Sequence, residues 1–292
     1  MEFDSIQNAK RQFILMDLIK KFIPSVGPNL LEKLPLVYDS DLAAFMEIEP
    51  QAVIHSNRDF LKRIHYSWYV QALSECQEPL QEPLLKILEP KVVKKICSLM
   101  NLEVPKGEVH PFTKSYLEAI LVDSFKLKSK LPICYLPPSP MNHLLKFEKK
   151  ELIQIINLLP IPQLAKQIRQ IVDRNRLMLI YHALDDMQKI YMKKCMQMKI
   201  KVLDPMIDIR LWSGTELLLK KKIHRNGLAL FNQSLYRQEK DYLFYLARLL
   251  DTGRGKYILD NQLEDLSQEK VADSSENLFA ATKFLENEQK KS

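Results

Sequence analysis

The sequence predicts an all-α protein, an irregular multi-helix bundle in two helical subdomains with little or no β-strand. Apolar residues recur at spacings of three and four along most of the 292-residue chain, whereas the alternation typical of strands is absent. Only 6 glycines occur, although turn-rich β folds and glycine-rich phosphate loops depend on this residue. With 46% hydrophobic and 27% charged residues, the chain has enough apolar material for a buried core.

The N-terminal subdomain is predicted over residues 1–128 as a series of short helices. Prolines divide this region, because a proline inside a helix removes a backbone hydrogen bond. One helix is expected to begin at Ser56, where Ser-Asn-Arg-Asp places a hydroxyl at the N-cap and a carboxylate three residues later. The other helices are predicted over 5–22, 41–47, 91–101 and 112–125.

Residues 129–140, with the sequence SKLPICYLPPSP, form the predicted connector between the subdomains. Its four prolines fix φ and provide no amide hydrogen, so the segment is expected to be extended. The best candidate for a strand anywhere in the chain is the short segment 132–136.

The C-terminal subdomain is predicted over residues 141–266 and has the stronger helical periodicity. Asp173 is the expected N-cap of a long helix of about 25 residues. A second capping box at 213–216 is expected to open a helix that ends at Gly227 as its C′ residue. Further helices are predicted over 145–159, 163–172, 228–235 and 241–251, the last ended by Gly253.

The remaining residues, 267–292, are polar and acidic, with one amphipathic patch at 278–285. A segment with so few apolar positions is expected to be a mobile tail, or to become ordered on binding.

Cysteine usage and hydropathy predict a cytoplasmic protein. The four cysteines contain no CxxC pair, which favours free thiols in a reducing compartment. The N-terminus lacks the basic-then-apolar order of a secretory signal, and no continuous apolar run reaches the roughly 18 residues that span a bilayer.

Positive charge is concentrated in one stretch of the chain. The formal net charge is +7, and residues 187–226 alone hold ten lysines and arginines against three acids. Such a stretch suits an anionic partner, either an acidic protein surface or nucleic acid, and the alternative is a plain solvated surface that binds neither. The predicted partner-binding residues are Lys220, Lys221, Lys222, Arg225 and Arg254.

Motifs for catalysis are missing from the sequence. No HExxH, GxSxG or GxxxxGK[ST] pattern occurs. The pair His182 and Asp186 is typical of a solvated helix face, and the acids of 204–208 are better explained by a connector around a proline. The segment 252–255 (TGRG) fits either a phosphate cradle at a helix start or a glycine helix cap. We therefore predict no enzyme, with no catalytic, cofactor-binding or metal-binding residue.

Two segments carry a resemblance to a known family. The first, LLPIPQLAKQIRQIVDRNRLMLIYHALDDMQKIYMKKCMQ, has a helix, a Leu-Pro step, a short helix and a long helix. The second, HRNGLALFNQSLYRQEKDYLFYLARLLDTGRGKYIL, follows it. Together, over residues 147–259, they resemble the helical accessory protein of the cytoplasmic sorting platform in chlamydial-type type III secretion. The same order of helices and Leu-Pro step is more distantly similar to that of the helical flagellar motor-switch protein.

The resemblance implies a non-enzymatic adaptor that links the inner-membrane ring to the core of the platform. Its partners would be ring and platform proteins, with no small-molecule substrate and no cofactor, and it would reach the membrane only through a ring protein. Its place would be the inner face of the bacterial inner membrane. The alternative is a basic helical nucleic-acid-binding protein.

Overall fold

A computed structural model describes residues 58–197, 209, 212, 214–261 and 266–290. It divides the chain into two compact units, Met1–Pro138 and Ser139–Ser292. Every regular element in the described ranges is helical, so the predicted all-α fold is confirmed. The predicted helices over 5–22 and 41–47, and the cap at Ser56, lie outside the described residues.

Short helices build the described part of the first unit. Each helix begins where a side chain accepts a hydrogen bond from an unpaired amide of the first turn, or where a proline removes one of these amides. His65 and His110 accept from the amides of Ser67 and Phe112, and proline lies in the first turn of the last three helices. The helices are α1 (Tyr66–Glu75), α2 (Glu78–Lys86), α3 (Pro90–Met100) and α4 (Pro111–Ser124).

The core of the first unit lies where α1 packs on α3 and α2 packs on α4. Leu73, Leu84 and Ile96 are completely buried there. The Tyr69 hydroxyl donates a 2.6 Å hydrogen bond to the Leu61 carbonyl, so its one polar atom is satisfied inside the apolar core.

The strand candidate at 132–136 is wrong. Residues Ile133–Tyr135 form a 3₁₀ turn instead, and further 3₁₀ turns cover Leu127–Ser129 and Pro140–Lys146. Prolines cannot donate to a strand ladder, and no other strand is present in the described residues to pair with this segment. The connector is therefore a series of short turns rather than one extended segment.

The second unit is centred on one long helix, α9, which packs against α5, α7 and α12. Helix α6 packs on α8, and α10 packs on α11. The helices are α5 (Lys149–Leu158), α6 (Ile161–Ile168), α7 (Arg174–Ala183), α8 (Asp186–Met196), α9 (Glu216–Ser234), α10 (Lys240–Leu249), α11 (Thr252–Asp260) and α12 (Gln268–Gln289).

The predicted long helix after Asp173 is two helices. Asp173 is the N-cap, as predicted, and accepts from the Asn175 amide at 2.9 Å. The helix stops at Leu184, whose backbone is extended, and a capping box restarts it. In that box the Gln188 amide donates to Asp185 at 2.8 Å, and the Asp185 amide donates to Gln188 at 3.0 Å. The capping box therefore determines where the helix is interrupted, although the apolar pattern continues through this point.

Gly227 does not end a helix but lies buried in the middle of α9. A Cβ at this position would lie 1.9 Å from the carbonyl oxygen of Ile156 on α5. The glycine is therefore required by the close approach of two helices and not by a turn. The predicted capping box also differs, because Thr215 is the N-cap and makes no side-chain cap bond, while Ser213 lies outside the described residues.

Gly253 is likewise not a helix cap. It lies in the first turn of α11, after the N-cap Asp251 and without a positive φ. Helix α10 has already ended before Leu250, whose backbone is extended. The glycine-cap interpretation of 252–255 is therefore wrong.

The prediction of a mobile tail at 267–292 is also wrong over most of its length. Residues Gln268–Gln289 form α12, which packs on α5 and α9. Leu278, Ala281 and Leu285 are buried because their spacing of three and four places them in one stripe. The amphipathic patch at 278–285 is the signal for this packing, because a single buried stripe is enough to hold the helix although Phe279 in the same patch is exposed.

Within the ranges that the structure describes, none of the helices is both long and apolar enough to cross a membrane.

Candidate functional site

The five residues predicted to bind a partner all line one pocket of the second unit, with a volume of about 610 Å³. Helix α9 supplies most of the wall, and α5, α11 and the start of α8 supply the rest. The lining residues are Ile153, Asn157, Asp185, Gln188, Leu218, Lys220, Lys221, Lys222, Ile223, His224, Arg225 and Arg254.

Helix α9 presents its lysines to the pocket because of the way its apolar residues are buried. Leu219 and Ile223 are four residues apart and almost fully buried, which fixes the rotation of the helix. Lys221 and Lys222 are adjacent in sequence and therefore project from different sides of α9. Both nevertheless border the same concave surface. Arg254 lies on α11, 30 residues after His224. Its position beside the lysines of α9 therefore depends on the tertiary fold.

His224 is held on both sides of its ring. The Arg254 Nε–H group donates to His224 Nε2 at 2.8 Å, so Nε2 carries no hydrogen. His224 Nδ1 must then carry the proton and donate to the Asn157 side-chain oxygen at 2.7 Å. Burial, and next the charge of Arg254, lower the pKa of His224, with Asp251 acting in the opposite direction. The imidazole is thus neutral at pH 7.

Asp251 anchors Arg254 from the other side. Its carboxylate accepts from the Arg254 amide at 3.2 Å, from the Arg254 guanidinium, and from Lys149 at 3.3 Å. Burial alone would raise the pKa of Asp251, but the hydrogen bonds and charge of Arg254, with the charge of Lys149, lower it to about 2. This carboxylate occupies the start of α11, which disfavours the alternative of a phosphate cradle at 252–255.

The cations of the pocket are not equally available. Lys220 pairs with Glu216 at 2.5 Å on the surface of α9. Lys221, Lys222 and Arg225 make no ion pair with any described residue. Asp185 is the one carboxylate among the described lining residues, which therefore carry a clear positive excess. Ile153, Leu218 and Ile223 add an apolar part to its wall.

The other candidates for chemistry that the structure describes do not form a second site. His182 is exposed on α7, and Asp204 and Asp208 lie outside the described residues. Across the described ranges, no group of three or more His, Cys, Asp or Glu side chains could hold a metal ion. Cys97 and Cys195 are buried free thiols, and burial raises the pKa of Cys195 to about 11, which leaves it protonated.

The sequence did not indicate the residues that organise the pocket. Asn157 lies 67 residues before His224, and nothing in its own neighbourhood marks it as a partner. The sequence does contain a signal for Asp185 as an N-cap, because the pattern Asp-Asp-Met-Gln is typical of a capping box at the start of a helix, here α8.

Comparison with known proteins adds no family to this description. No family model, curated protein or solved structure matches the chain. The fold and the pocket define a helical protein with a basic, partly apolar concavity, and the resemblance to the secretion accessory protein stays a prediction.

Replacing Asp251 is expected to weaken the second unit. Asp251→Ala removes the N-cap of α11 and leaves Arg254 and Lys149 without their carboxylate, which should lower the free energy of unfolding by about 2 kcal/mol. Asp251→Asn, which keeps a capping oxygen, should lower it by about 1 kcal/mol. The comparison is made by urea unfolding at pH 7.

The pH dependence of this effect has a defined sign. The folded-state pKa of Asp251 is about 2 and its ordinary value is 3.8, so its contribution is complete above pH 4 and is lost as the pH falls toward 2. The difference between wild type and Asp251→Asn should shrink over that range. Asp186→Asn, at an exposed residue paired with Lys189, is the control and should change stability by less than about 0.5 kcal/mol. An equal effect of the two asparagine variants would contradict the assignment.

Proposed function

We propose that the chain is a non-enzymatic adaptor whose second unit binds an acidic segment of a partner protein in the α9 pocket. The observation that carries this proposal is the convergence of Lys221, Lys222 and Arg225, which make no ion pair with any residue that the structure describes, with Arg254 around one concave surface. The setting that fits is the one that the sequence resemblance implies: the type III secretion sorting platform, at the inner face of the inner membrane.

The lining residues favour binding over catalysis. His224 is the one imidazole among the described lining residues, and both of its ring nitrogens are already engaged. A general base needs a free nitrogen facing the substrate, and a nucleophile needs such a base beside it. Among the described residues of the lining there is no serine, threonine, cysteine or tyrosine that His224 could activate.

The same lining favours a protein partner over nucleic acid. Binders of single strands stack bases on aromatic side chains along a basic groove. The wall of this pocket, as far as the structure describes it, has no Phe, Tyr or Trp, and its apolar part is aliphatic. A cationic rim beside Ile153, Leu218 and Ile223 suits a segment in which acidic and apolar residues alternate, because each kind of side chain then has a complement.

The proposal is tested by purifying the tagged chain from its native cells and identifying what remains bound after nuclease treatment. An adaptor of this kind should retain ring and platform proteins of the secretion apparatus. Retention that nuclease abolishes would instead support the nucleic-acid alternative and overturn the proposal. Recovery of other proteins with acidic segments would keep the adaptor function and reject the secretion setting.

A further inference from the structure

We infer that His224 makes the binding of an acidic segment pH-dependent, by holding Arg254 while it is neutral and by adding a positive charge to the pocket when it is protonated. This inference rests on the proposed docking function and concerns its regulation. In it, His224 is a positioning residue that acts on the ligand through Arg254 and through its own charge.

The geometry couples the two side chains directly. His224 Nε2 accepts the Nε–H of Arg254 at 2.8 Å, while Arg254 Nη1 is bound to Asp251. Two donor groups of the guanidinium are therefore used inside the unit, and the rest of it borders the pocket. Asn157 fixes the opposite side of the ring at 2.7 Å, so the ring cannot turn without losing both bonds.

Protonation removes the acceptor of this arrangement. A proton on Nε2 would face the Nε–H of Arg254 across 2.8 Å, and both groups would be positively charged. The contact becomes repulsive, so the guanidinium is released from the ring and keeps its bond to Asp251. A bound carboxylate near these two cations would offset the repulsion.

The charges around His224 determine the sign of the effect. Helix α9 contributes Lys220, Lys221, Lys222 and Arg225, and α11 contributes Arg254, whose partner Asp251 is the N-cap of that helix. Helix α5 contributes Lys149 through Asp251, and Asp185 precedes α8. Helices α7 and α12 also pack on α9 but add no residue to the pocket lining. The excess is positive, so the empty pocket disfavours the imidazolium and a bound anion favours it.

Binding and protonation must therefore strengthen each other. The pKa of His224 lies below its ordinary value of 6.5 because of burial and the charge of Arg254, with Asp251 opposing. An anion that raises this pKa binds more tightly as the pH falls through it. The same depressed pKa means that the stability of the free protein is complete above pH 6.5 and decreases below it, so the anion should also protect the fold most in acid.

The experiment measures the affinity of a fluorescein-labelled octaglutamate peptide between pH 7.5 and 5.5 at constant low salt. The carboxylates of the peptide remain mostly ionised over this range, because the pKa of glutamate is about 4.3. Wild type should bind about fivefold more tightly at pH 5.5 than at pH 7.5, the effect expected for one added charge near the ligand. His224→Gln, which retains hydrogen-bonding atoms but cannot titrate, should bind with an almost constant affinity.

A matched control uses a second histidine of the same unit. His182 is exposed on α7 and absent from the pocket lining, so His182→Gln should keep the wild-type pH profile. If His224→Gln shows the full wild-type slope, or if wild type binds with no slope, the inference is wrong while the docking function stands.

A ligand-free measurement separates the two proposals further. In the NMR spectrum of the free protein, the Arg254 Nε–H signal should shift with the same midpoint as the His224 ring. Failure of wild type to bind the peptide at any pH would reject the docking function without affecting this result. An Arg254 signal that does not follow the His224 titration would overturn the coupling itself.

Discussion

Gly227→Ala is expected to lower the free energy of unfolding of the second unit by at least about 3 kcal/mol, or to prevent its folding. The added Cβ would lie 1.9 Å from the carbonyl oxygen and 2.9 Å from the carbonyl carbon of Ile156. Both atoms belong to the backbone of α5, so no side-chain rotation can relieve the overlap. Helices α5 and α9 would have to separate, which would expose the core that they share with α12.

A second glycine of the same unit provides the control. Gly253 is also helical, and a Cβ there would lie 3.4 Å from Asp251 Oδ1, close to ordinary contact. Gly253→Ala should leave stability unchanged or raise it by about 0.5–1 kcal/mol, because alanine restricts the unfolded chain. Urea unfolding followed by circular dichroism measures both variants. A Gly227→Ala protein within 1 kcal/mol of wild type would show that α5 and α9 do not approach so closely.

Reversal of the three pocket cations that make no ion pair with a described residue is expected to weaken binding of an acidic partner about 100-fold. The triple variant carries Lys221→Glu, Lys222→Glu and Arg225→Glu. Each substitution replaces an attraction to the acidic ligand by a repulsion, and the three losses of binding free energy add. Lys220 is left in place because Glu216 already pairs with it. The affinity for the octaglutamate peptide, and for any partner recovered from cells, is measured at two salt concentrations.

The control triple variant has the same net charge but leaves the pocket intact. Lys193, Lys256 and Lys283 are exposed on α8, α11 and α12 and do not line the pocket. Their replacement by glutamate should weaken binding only a few-fold, and high salt should remove the difference. Equal losses in the two triple variants would mean that net charge, and not the pocket, determines binding.

The helical nature of the chain could be predicted because it is a local property of the sequence. Spacing of apolar residues indicated most described helices, and Asp173 was recognisable as an N-cap by its residue type. The predicted tail failed for a related reason. The buried stripe of Leu278, Ala281 and Leu285 was visible, but its value depends on a partner surface that the sequence alone does not display.

Glycine gave the clearest case of a local pattern with two meanings. A glycine at C′ and a glycine at a helix crossing look the same in sequence, and only the distance to Ile156 distinguishes them. Only part of the pocket could be predicted from local sequence. A run of basic residues at 220–225 stood out, whereas the contacts of Arg254 with His224, and of His224 with Asn157, connect three helices that are distant in the chain.

The central proposal is tested most directly by a photo-crosslinking amino acid in place of Leu218, a pocket residue that is 45% exposed. The same reagent in place of Phe279, which is 40% exposed on α12 outside the pocket, is the control. In living cells, position 218 should crosslink to one protein through an acidic segment, and position 279 should not. Crosslinks from 218 to nucleic acid, or the same products from both positions, would contradict an acidic-segment docking site in this pocket.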